Sequence, residues 1–328
     1  MRNRSGLAVL VLTIVAVLFG CQCGAGNKGP GGGNQNPGGP NDNVFGGGDI
    51  AGDPAEKNAV ETVKKHGGSV KQEAGRVVEV HLFHNTVNDD TLKDLAPLTK
   101  TRILKVTAAK ITAQGLKHLA GMGELTELDL ALSQVDAAGL KEIAALKQLR
   151  VLHLQGMKAT GPDLRVLAPL NQLEDLAVNN TQKIGDAGGI AIAQLKRLKK
   201  VTIDNSDLGD AGLAAIADLP ELHYLSIHGN FKLTSKGFNS LSKAKSLEEL
   251  IVGFTFGDDS AKTVASCTSL RVLRLFHTEI SDKGFREFKG MHQLQELEIR
   301  RPGGGGRLTN AAVDEFKKAN PNCKVKGP

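Results

Sequence analysis

One pattern of apolar residues repeats ten times along this chain and constrains its fold more than any other feature. Each copy has the form L-x-x-L-x-L, with Val or Ile replacing Leu at some positions. The third apolar position falls, at spacings of 23 to 25 residues, at Leu82, Val106, Leu130, Leu154, Val178, Ile203, Ile227, Val252, Leu275 and Ile299. A unit this short cannot bury its own apolar face, so successive copies must stack to form one continuous core.

The second half of each copy carries the signals of a short helix. Residues that can cap a helix follow the third apolar position by six residues, or by seven in one longer copy, at Asn88, Thr112, Asp136, Thr160, Thr234 and Ser281. Their side-chain oxygens can accept hydrogen bonds from the free N–H groups of a first helical turn. Apolar residues then recur at helical spacing, as in Leu140 with Ile143. We therefore predict a strand, a turn and a helix in each copy.

Two other kinds of residue recur at fixed places in the copies. Glycines that fall inside the predicted helices indicate close approach between stacked helices, and they are Gly115, Gly139, Gly212, Gly237 and Gly284. Small polar residues follow seven of the predicted strands by three residues, whereas Ala109 and Met157 interrupt the series. These polar residues are Asn85, Ser133, Thr181, Ser206, Asn230, Thr255 and Thr278. We interpret this polar column as structural, because such side chains can satisfy backbone groups where a chain turns.

The repeats and their flanking segments resemble leucine-rich repeats. The segment 63–70, the Thr/Asp-x-x-Gly-Leu helix starts and the closing segment 320–325 resemble the secreted leucine-rich-repeat proteins of planctomycete-type bacteria. The repeat is also similar to those of the ribonuclease-inhibitor and F-box leucine-rich-repeat families. The resemblance covers residues 55–328 and implies an α/β horseshoe solenoid, with a parallel concave sheet, helices on the convex side, and protein recognition along the sheet. No F-box precedes the repeats, so a ubiquitin-ligase role does not carry over.

The chain is expected to divide into five parts. These are a signal peptide (1–20), a disordered tether rich in Gly, Asn and Pro (21–54), an N-terminal cap (55–76), about ten repeats (77–318), and an edge strand with a tail (319–328). The tether cannot bury enough apolar surface to offset the entropy of ordering it. The cap is expected to hold an amphipathic helix around Ala59, Val60 and Val63, and a final helix is expected to begin at Thr309.

The N-terminus has the features of an export signal. Arg2 and Arg4 precede an uncharged run over 6–19, which is shorter than the ~20 residues needed to span a membrane. The run ends in Leu18-Phe19-Gly20-Cys21, which resembles the lipobox of bacterial lipoproteins. The resemblance implies that Cys21 is lipidated and anchors the exported chain to the cell envelope, at the outer membrane or the periplasmic face. An ordinary secretory signal with a nearby cysteine is the alternative.

Charge and motifs argue against nucleic-acid binding and against catalysis. The net charge is +6 with both signs interspersed, whereas nucleic-acid binders cluster basic residues on one face. The chain contains no G-x-S-x-G, no phosphate-binding G-x-x-x-x-G-K-[ST] and no H-E-x-x-H. We therefore expect no enzyme activity and no cofactor.

Two pairs of residues could in principle be metal ligands or a disulfide. His81 and His84 are three residues apart, so on a strand they point to opposite faces unless the chain turns between them. We interpret them as surface histidines and predict no metal site. Cys267 and Cys323 lie two repeats apart, at ~10 Å from sheet spacing alone, which is too far for a disulfide. We expect Cys267 to be a small buried residue.

The intervening positions of L-x-x-L-x-L are expected to line the concave face. Towards the C-terminus they combine aromatic, His and Arg residues, and aromatic residues and Arg are enriched at binding hot spots. The predicted binding residues are Tyr224, His228, Phe254, Arg274, Phe276, His277, Arg300 and Arg301. Two alternatives stay open: Phe254 and Phe276 pack under the adjacent loop, or binding occurs on another surface.

These features together predict a monomeric, non-enzymatic module that is anchored to the cell envelope and binds a protein partner through its concave face. The alternative is recognition of cell-wall or extracellular polysaccharide, with aromatic rings stacking on sugars. The chain has one Tyr and no Trp, so few rings are available for a long glycan groove.

Overall fold

The computed structural model describes residues 53–181, 183–300 and 307–327, which all belong to one unit of the chain, Asn43–Pro328. The export signal, Cys21 and Arg301 lie outside the described residues. The expectations for them therefore stay predictions.

Twelve strands in the described part of the chain form one sheet, in which each strand pairs with its neighbours in sequence. They are β1 Ser69–Glu73, β2 Arg76–Phe83, β3 Ile103–Thr107, β4 Glu127–Asp129, β5 Val151–His153, β6 Asp175–Ala177, β7 Lys200–Thr202, β8 Tyr224–Ser226, β9 Glu249–Gly253, β10 Val272–Phe276, β11 Glu296–Arg300 and β12 Lys324–Lys326. The pairs from β2 to β12 are parallel and in the register that the repeats predict, with Leu82 opposite Val106 and Val252 opposite Leu275.

A helical segment follows each strand from β2 to β11. The α-helices are α1 Pro54–Lys65, α2 Asp89–Leu95, α3 Ala113–Leu116, α4 Ala137–Ile143, α5 Gly185–Ile192, α6 Asp210–Ala217, α7 Ser235–Asn239, α8 Asp258–Ala265, α9 Asp282–Phe285 and α10 Asn310–Ala319. Short 3-10 helices cover Lys117–Gly121, Gly161–Leu167, Ser240–Lys243 and Arg286–Gly290. The α/β solenoid with a parallel concave sheet and convex helices is thus confirmed. None of the described helices has the length and apolar character needed to cross a membrane.

The N-terminal end of the sheet is closed by a hairpin that the repeat pattern does not predict. β1 pairs antiparallel with β2, and the turn between them is formed by Ala74 and Gly75, both with positive φ. Two such residues in succession match the twist of a tight hairpin. Helix α1 covers the adjoining end of the core with Ala59, Val60 and Val63. The first repeat thereby gains the neighbour that it would otherwise lack.

The predicted helix caps are confirmed, and an aspartate in the preceding repeat strengthens several of them. Ser281 is the N-cap of α9. Its backbone N–H and hydroxyl donate to the two carboxylate oxygens of Asp258, the first residue of α8, at 2.8 and 2.6 Å. Asp89 with Thr112 and Asp210 with Thr234 repeat the arrangement. These bonds join neighbouring repeats on the convex side.

The interior is a stack of leucine layers that becomes aromatic towards the C-terminus. Phe238 packs against Phe256 with ring centroids 5.2 Å apart, and Phe285 packs against Phe316 at 5.7 Å. Cys267 is buried beside this part of the core, as predicted. The helical glycines permit close stacking, because a Cβ on Gly189 would come within 2.6 Å of the Cα atom of Gly212.

The small polar column forms the expected structural ladder over most of its length. The side-chain amide of Asn230 donates to the carbonyls of Ile203 and Ile227 at 2.8 and 2.9 Å and accepts from the N–H of Ser206 at 3.0 Å. Four repeats earlier, the hydroxyl of Ser133 donates to the carbonyl of Val106 at 2.9 Å and accepts from the N–H of Ala109 at 3.2 Å. Asn85, at the start of the series, is exposed instead.

Candidate functional site

Side chains on the concave side form four rows because the parallel strands are in register. The two inner rows contain Glu79, Ile103, Glu127, Val151, Asp175, Lys200, Tyr224, Glu249, Val272 and Glu296, and His81, Lys105, Asp129, His153, Ala177, Thr202, Ser226, Ile251, Arg274 and Glu298. The two rim rows lie at the carboxyl ends of the strands. They contain Phe83, Thr107, Ala131, Gln155, Asn179, Asp204, His228, Gly253, Phe276 and Arg300, and His84, Ala108, Leu132, Gly156, Asn180, Asn205, Gly229, Phe254 and His277.

Arg274 lies in an inner row and is held by carboxylates from both neighbouring strands. Its guanidinium contacts Glu249 on β9, and on β11 it lies 3.4 Å from Glu296 and 3.2 Å from Glu298. These ion pairs satisfy the positive charge of Arg274 within the sheet. Any partner that drew Arg274 away would leave Glu249 without the counter-charge described for it, which is costly for a half-buried group, whereas Glu296 would keep Lys326 and Glu298 would keep Arg300.

His153 neutralises two aspartates at the centre of the inner rows. Its Nδ1 lies 3.6 Å from Asp129 and its Nε2 lies 3.7 Å from Asp175, which also pairs with Lys200 at 2.9 Å. Burial alone would lower the pKa of His153, but the two carboxylates outweigh it and raise that pKa to about 9. The imidazole is therefore a cation at neutral pH and completes a chain of ion pairs across the sheet.

Five rings pack together at the C-terminal end of the rim rows, and we call them the aromatic patch: His228, Phe231, Phe254, Phe276 and His277. Phe254 lies at the centre, with its ring centroid 5.0 Å from Phe231, 5.0 Å from His228 and 5.8 Å from His277. Phe276 lies 6.0 Å from His228. These separations are typical of stabilising aromatic pairs. The structure thus brings together four residues that the sequence predicts, and adds Phe231.

Phe231 is the most exposed of the large apolar side chains that the structure describes, with 68% of its surface accessible. It lies four residues past Ile227, on the loop, so the strand positions of the repeat do not include it. The repeat from Ile227 to Val252 spans 25 residues, one more than its usual length, and this insertion is the signal that could have located the exposed loop.

The backbone at Phe254 has a conformation that an aromatic residue rarely adopts. Its φ is +33°, and the same rim position has a positive φ in other repeats, where Gly156 and Gly229 occupy it without strain. Ala108, Leu132, Asn180, Asn205 and His277 occupy this position in further repeats, also with positive φ, so the conformation belongs to the turn of the repeat. A bulky residue there costs on the order of 1–3 kcal/mol. The chain thus keeps a large ring at a position where glycine and asparagine fit better.

Within the aromatic patch, the ring of His228 lies in the space that Gly253, which has no side chain, leaves open. A Cβ on Gly253 would come within 2.6 Å of the carbonyl oxygen of Phe276 and would also collide with the His228 ring. Burial, with a smaller effect from His277, lowers the pKa of His228 to about 4, so the imidazole is neutral at pH 7. Its Nε2 is buried and has no hydrogen-bond partner.

Asp204 precedes His228 in the rim row. Its Oδ1 accepts hydrogen bonds from the hydroxyl of Ser226 and the backbone N–H of His228, both at 2.7 Å. Burial raises the pKa of Asp204 to about 6 despite these bonds. The carboxylate is therefore ionised at neutral pH and is used to fix the backbone below the patch.

The remaining predicted binding residues lie at different distances from the patch. Arg300 adjoins it, with its guanidinium carbon 4.6 Å from the Phe276 ring centre and an ion pair to Glu298 at 2.8 Å. Tyr224 lies in an inner row, four residues before His228, and borders a separate shallow depression of about 460 Å³ with Glu249 and Val272. Arg301 lies outside the described residues.

In the part of the chain that the structure describes, no group of three or more His, Cys, Asp or Glu side chains is arranged to hold a metal ion. His81 lies half-buried on β2, and His84 follows the end of that strand as an exposed residue. Cys267 and Cys323 are free thiols.

Comparison with known proteins agrees with the repeat architecture. The family model described as Leucine Rich repeat matches residues 125–144, 171–193 and 266–288. The chain has the fold of a leucine-rich-repeat solenoid. No curated protein sequence matches it.

Two solved structures are similar to this chain, and the first of them supports the likeness at the level of the fold. The ectodomain of the Arabidopsis receptor kinase HAESA, in complex with a peptide hormone ligand, is 17% identical with a TM-score of 0.53, and the match covers 74% of this chain and 44% of that one. An internalin from Listeria monocytogenes is 14% identical with a TM-score of 0.44, covering 83% and 94% of the two chains. The chain therefore spans less than half of the receptor ectodomain.

Proposed function

We propose that this protein is a non-enzymatic protein-binding module and that the aromatic patch, with Arg300 beside it, forms its binding surface. The observation that carries the proposal is the 68% exposure of Phe231 on top of the Phe254 ring. Single exposed apolar residues are ordinary on protein surfaces, but contiguous rings beside a strained backbone are typical of interaction sites. Aromatic residues and Arg also dominate binding hot spots.

The ion pairs of the inner rows indicate where on the concave side the partner binds. Arg274 and His153 are each engaged by carboxylates of neighbouring strands, so the centre of the sheet has little free charge to offer. Phe254 and Phe276 in the rim rows carry no charge, so a partner can pack on them without breaking an ion pair. We therefore place the main contacts at the rim near β8 to β10.

A polypeptide partner fits both the chemistry of the patch and the fold. The ring of Phe254 is flanked by three rings, of which His277 is stacked on it at an interplanar angle of 25° and His228 and Phe231 are tilted. A sugar needs a free ring face for stacking, whereas an apolar side chain can pack on ring edges. The HAESA ectodomain, which shares the fold, is solved with a peptide ligand.

We also propose that the protein is exported and held at the cell envelope by a lipid on Cys21. The support is the lipobox-like segment Leu18-Phe19-Gly20-Cys21 behind a charged and then apolar N-terminus. Intact-mass analysis of the membrane fraction tests this proposal. The mature chain should carry an acyl modification that Cys21→Ser abolishes, and an unmodified Cys21 in the parent protein would contradict it.

The binding proposal is tested by affinity capture from detergent-solubilised envelope, with the full chain as bait. A Phe231→Ser/Phe254→Asn variant removes the patch, and Phe83→Ser is the matched control, because Phe83 is 61% exposed but lies on β2. A polypeptide that is retained by the parent and the control but lost from the folded double variant supports the proposal. Equal capture by all three proteins would show that binding occurs elsewhere.

A further inference from the structure

The middle of the rim rows contains buried polar atoms whose hydrogen-bonding capacity is unused. Gln155 Oε1, Asn179 Oδ1 and His228 Nε2 are all buried without a hydrogen-bond partner. They lie in one rim row, after β5, β6 and β8. Buried polar atoms are nearly always paired, because an unpaired one loses its bonds to water without replacement. His81 Nε2 and Asp175 Oδ1 in the inner rows are also without a hydrogen-bond partner, but only this rim row contains three such atoms, so a ligand along it could supply the missing partners.

The part of the rim rows from Thr107 to Phe254, which we call the rim stretch, carries almost no charge. Its described residues include one acidic residue, Asp204, and one histidine, His228. The Asp204 carboxylate already accepts two hydrogen bonds from the chain itself, and His228 is held neutral by burial. A charged ligand would therefore lose hydration here without gaining a counter-charge. The chemistry of the stretch fits a neutral chain that offers N–H and O–H donors.

Large apolar side chains stand at both ends of the stretch. Leu132, at the end of β4, is 47% exposed, and Phe254 lies at the end of β9 below Phe231. Both occupy the same rim row, and both have the positive φ that disfavours large side chains. Five strand spacings of ~4.8 Å separate them, or about 24 Å, which equals about seven residues of extended polypeptide.

We infer that the rim rows bind an extended, uncharged polypeptide segment carrying two apolar side chains about seven residues apart. One apolar side chain packs on Leu132 and the other on the aromatic patch. Between them, main-chain and amide groups of the segment pair with the half-buried side chains of Gln155 and Asn179, which turn their unpaired oxygens towards it. This inference rests on the proposed function and adds to it the class, length and charge of the ligand.

The test uses the purified full chain and a series of fluorescent peptides, acetylated and amidated so that their ends are neutral. Each peptide has two Phe residues separated by a spacer of about two to ten Asn, Ser and Gly residues, and binding is measured by fluorescence polarisation. We expect the highest affinity when the two Phe are about seven residues apart. Leu132→Asn should weaken that peptide about tenfold, and Phe83→Ser should leave it unchanged.

A second variant probes the middle of the stretch without removing an apolar anchor. Asn179→Asp places a charge among the uncharged rim residues while keeping the side-chain size, and it should weaken the best peptide about tenfold or more. Thermal unfolding must show that both variants keep the parent's midpoint within a few degrees. If Asn179→Asp does not, Gln155→Glu replaces it, and the same loss is expected. If Leu132→Asn does not, Leu132→Ala replaces it as the test of the anchor.

Three outcomes would overturn the inference. Affinity that is independent of spacer length would exclude two fixed anchors. Unchanged binding by Leu132→Asn would exclude the N-terminal one. Displacement of the best peptide by neutral wall oligosaccharides at lower concentration would identify a glycan as the ligand. If the polypeptide from the capture experiment needs Phe231 and Phe254 but is insensitive to Leu132→Asn, the proposed function stands and this inference fails.

Discussion

At the scale of the residue, two phenylalanines two positions apart have opposite roles. Phe256 is fully buried and packs against Phe238 in the core. Phe254 is partly exposed, has a φ of +33°, and contacts only the rings of the aromatic patch among the aromatic pairs described. Phe256 stabilises the repeat, whereas the repeat holds Phe254 in a backbone conformation that other residue types adopt more easily.

This contrast predicts different costs of substitution. Phe254→Asn places a residue that tolerates the left-handed region at the strained position, so the free energy of unfolding should change by less than about 1 kcal/mol. Phe256→Ala should cost about 3–5 kcal/mol, because it leaves a cavity in the core. Urea denaturation of both variants measures the difference. A similar large loss in both would show that Phe254 packs as a core residue under the loop.

His153 makes a prediction about pH. Its pKa is raised from 6.5 to about 9 in the folded chain, so the stabilisation is fully present below pH 6.5 and is lost as the pH rises through 9. The loss is on the order of 3 kcal/mol at most. An NMR titration of the imidazole should give a midpoint near 9, and Asp129→Asn should lower it. A midpoint near 6.5 in the parent protein would contradict the bridge between Asp129 and Asp175.

At the scale of the element, the capping aspartates couple one helix to the next. Burial raises the pKa of Asp258, but hydrogen bonds from Ser281 outweigh it and hold the pKa below its ordinary value. The stabilisation is therefore present above pH 3.8 and is lost as the pH falls through the lower, folded value. The first residue of α8 thus stabilises the start of α9.

Asp258→Ala should lower the free energy of unfolding by about 1–2 kcal/mol, because two donors of Ser281 lose their partner. Asp259→Ala is the matched control, since Asp259 is the next residue of the same helix and is exposed. Urea denaturation at pH 7 and pH 3 compares them. The difference between the variants should shrink at the lower pH, and equal effects of the two substitutions would refute the coupling.

The helices and strands also show which features of the structure can be predicted from the sequence alone. The L-x-x-L-x-L period predicts the strand register, the helix caps and the rows of the concave face, because each depends on local pattern and repetition. It places His228, Phe254, Phe276 and His277 together but misses Phe231, which an inserted loop residue displaces from the pattern. It also cannot show that Arg274 is engaged, because three carboxylates on two other strands reach it through side-chain conformations that the pattern does not encode.

At the scale of the whole molecule, the described inner rows of the concave sheet carry many charges and present them in pairs. Lys105 pairs with Glu127, His153 with two aspartates, and Arg274 with three glutamates across neighbouring strands. The rim stretch beside these pairs is nearly uncharged. A net charge of +6 therefore does not produce a strongly basic binding face, and association should depend little on long-range attraction.

This arrangement predicts that binding is insensitive to salt. Between about 50 and 500 mM NaCl, the dissociation constant of the captured polypeptide should change by less than about threefold, because the apolar contacts at the aromatic patch are not screened. A basic surface that bound a polyanion would lose affinity by orders of magnitude over a smaller range. Isothermal titration calorimetry at several salt concentrations measures the slope, with Arg300→Gln as a comparison for the cation nearest the patch. If affinity fell steeply with salt and Arg300→Gln removed the dependence, charge pairing at Arg300 rather than packing of the rings would govern recognition.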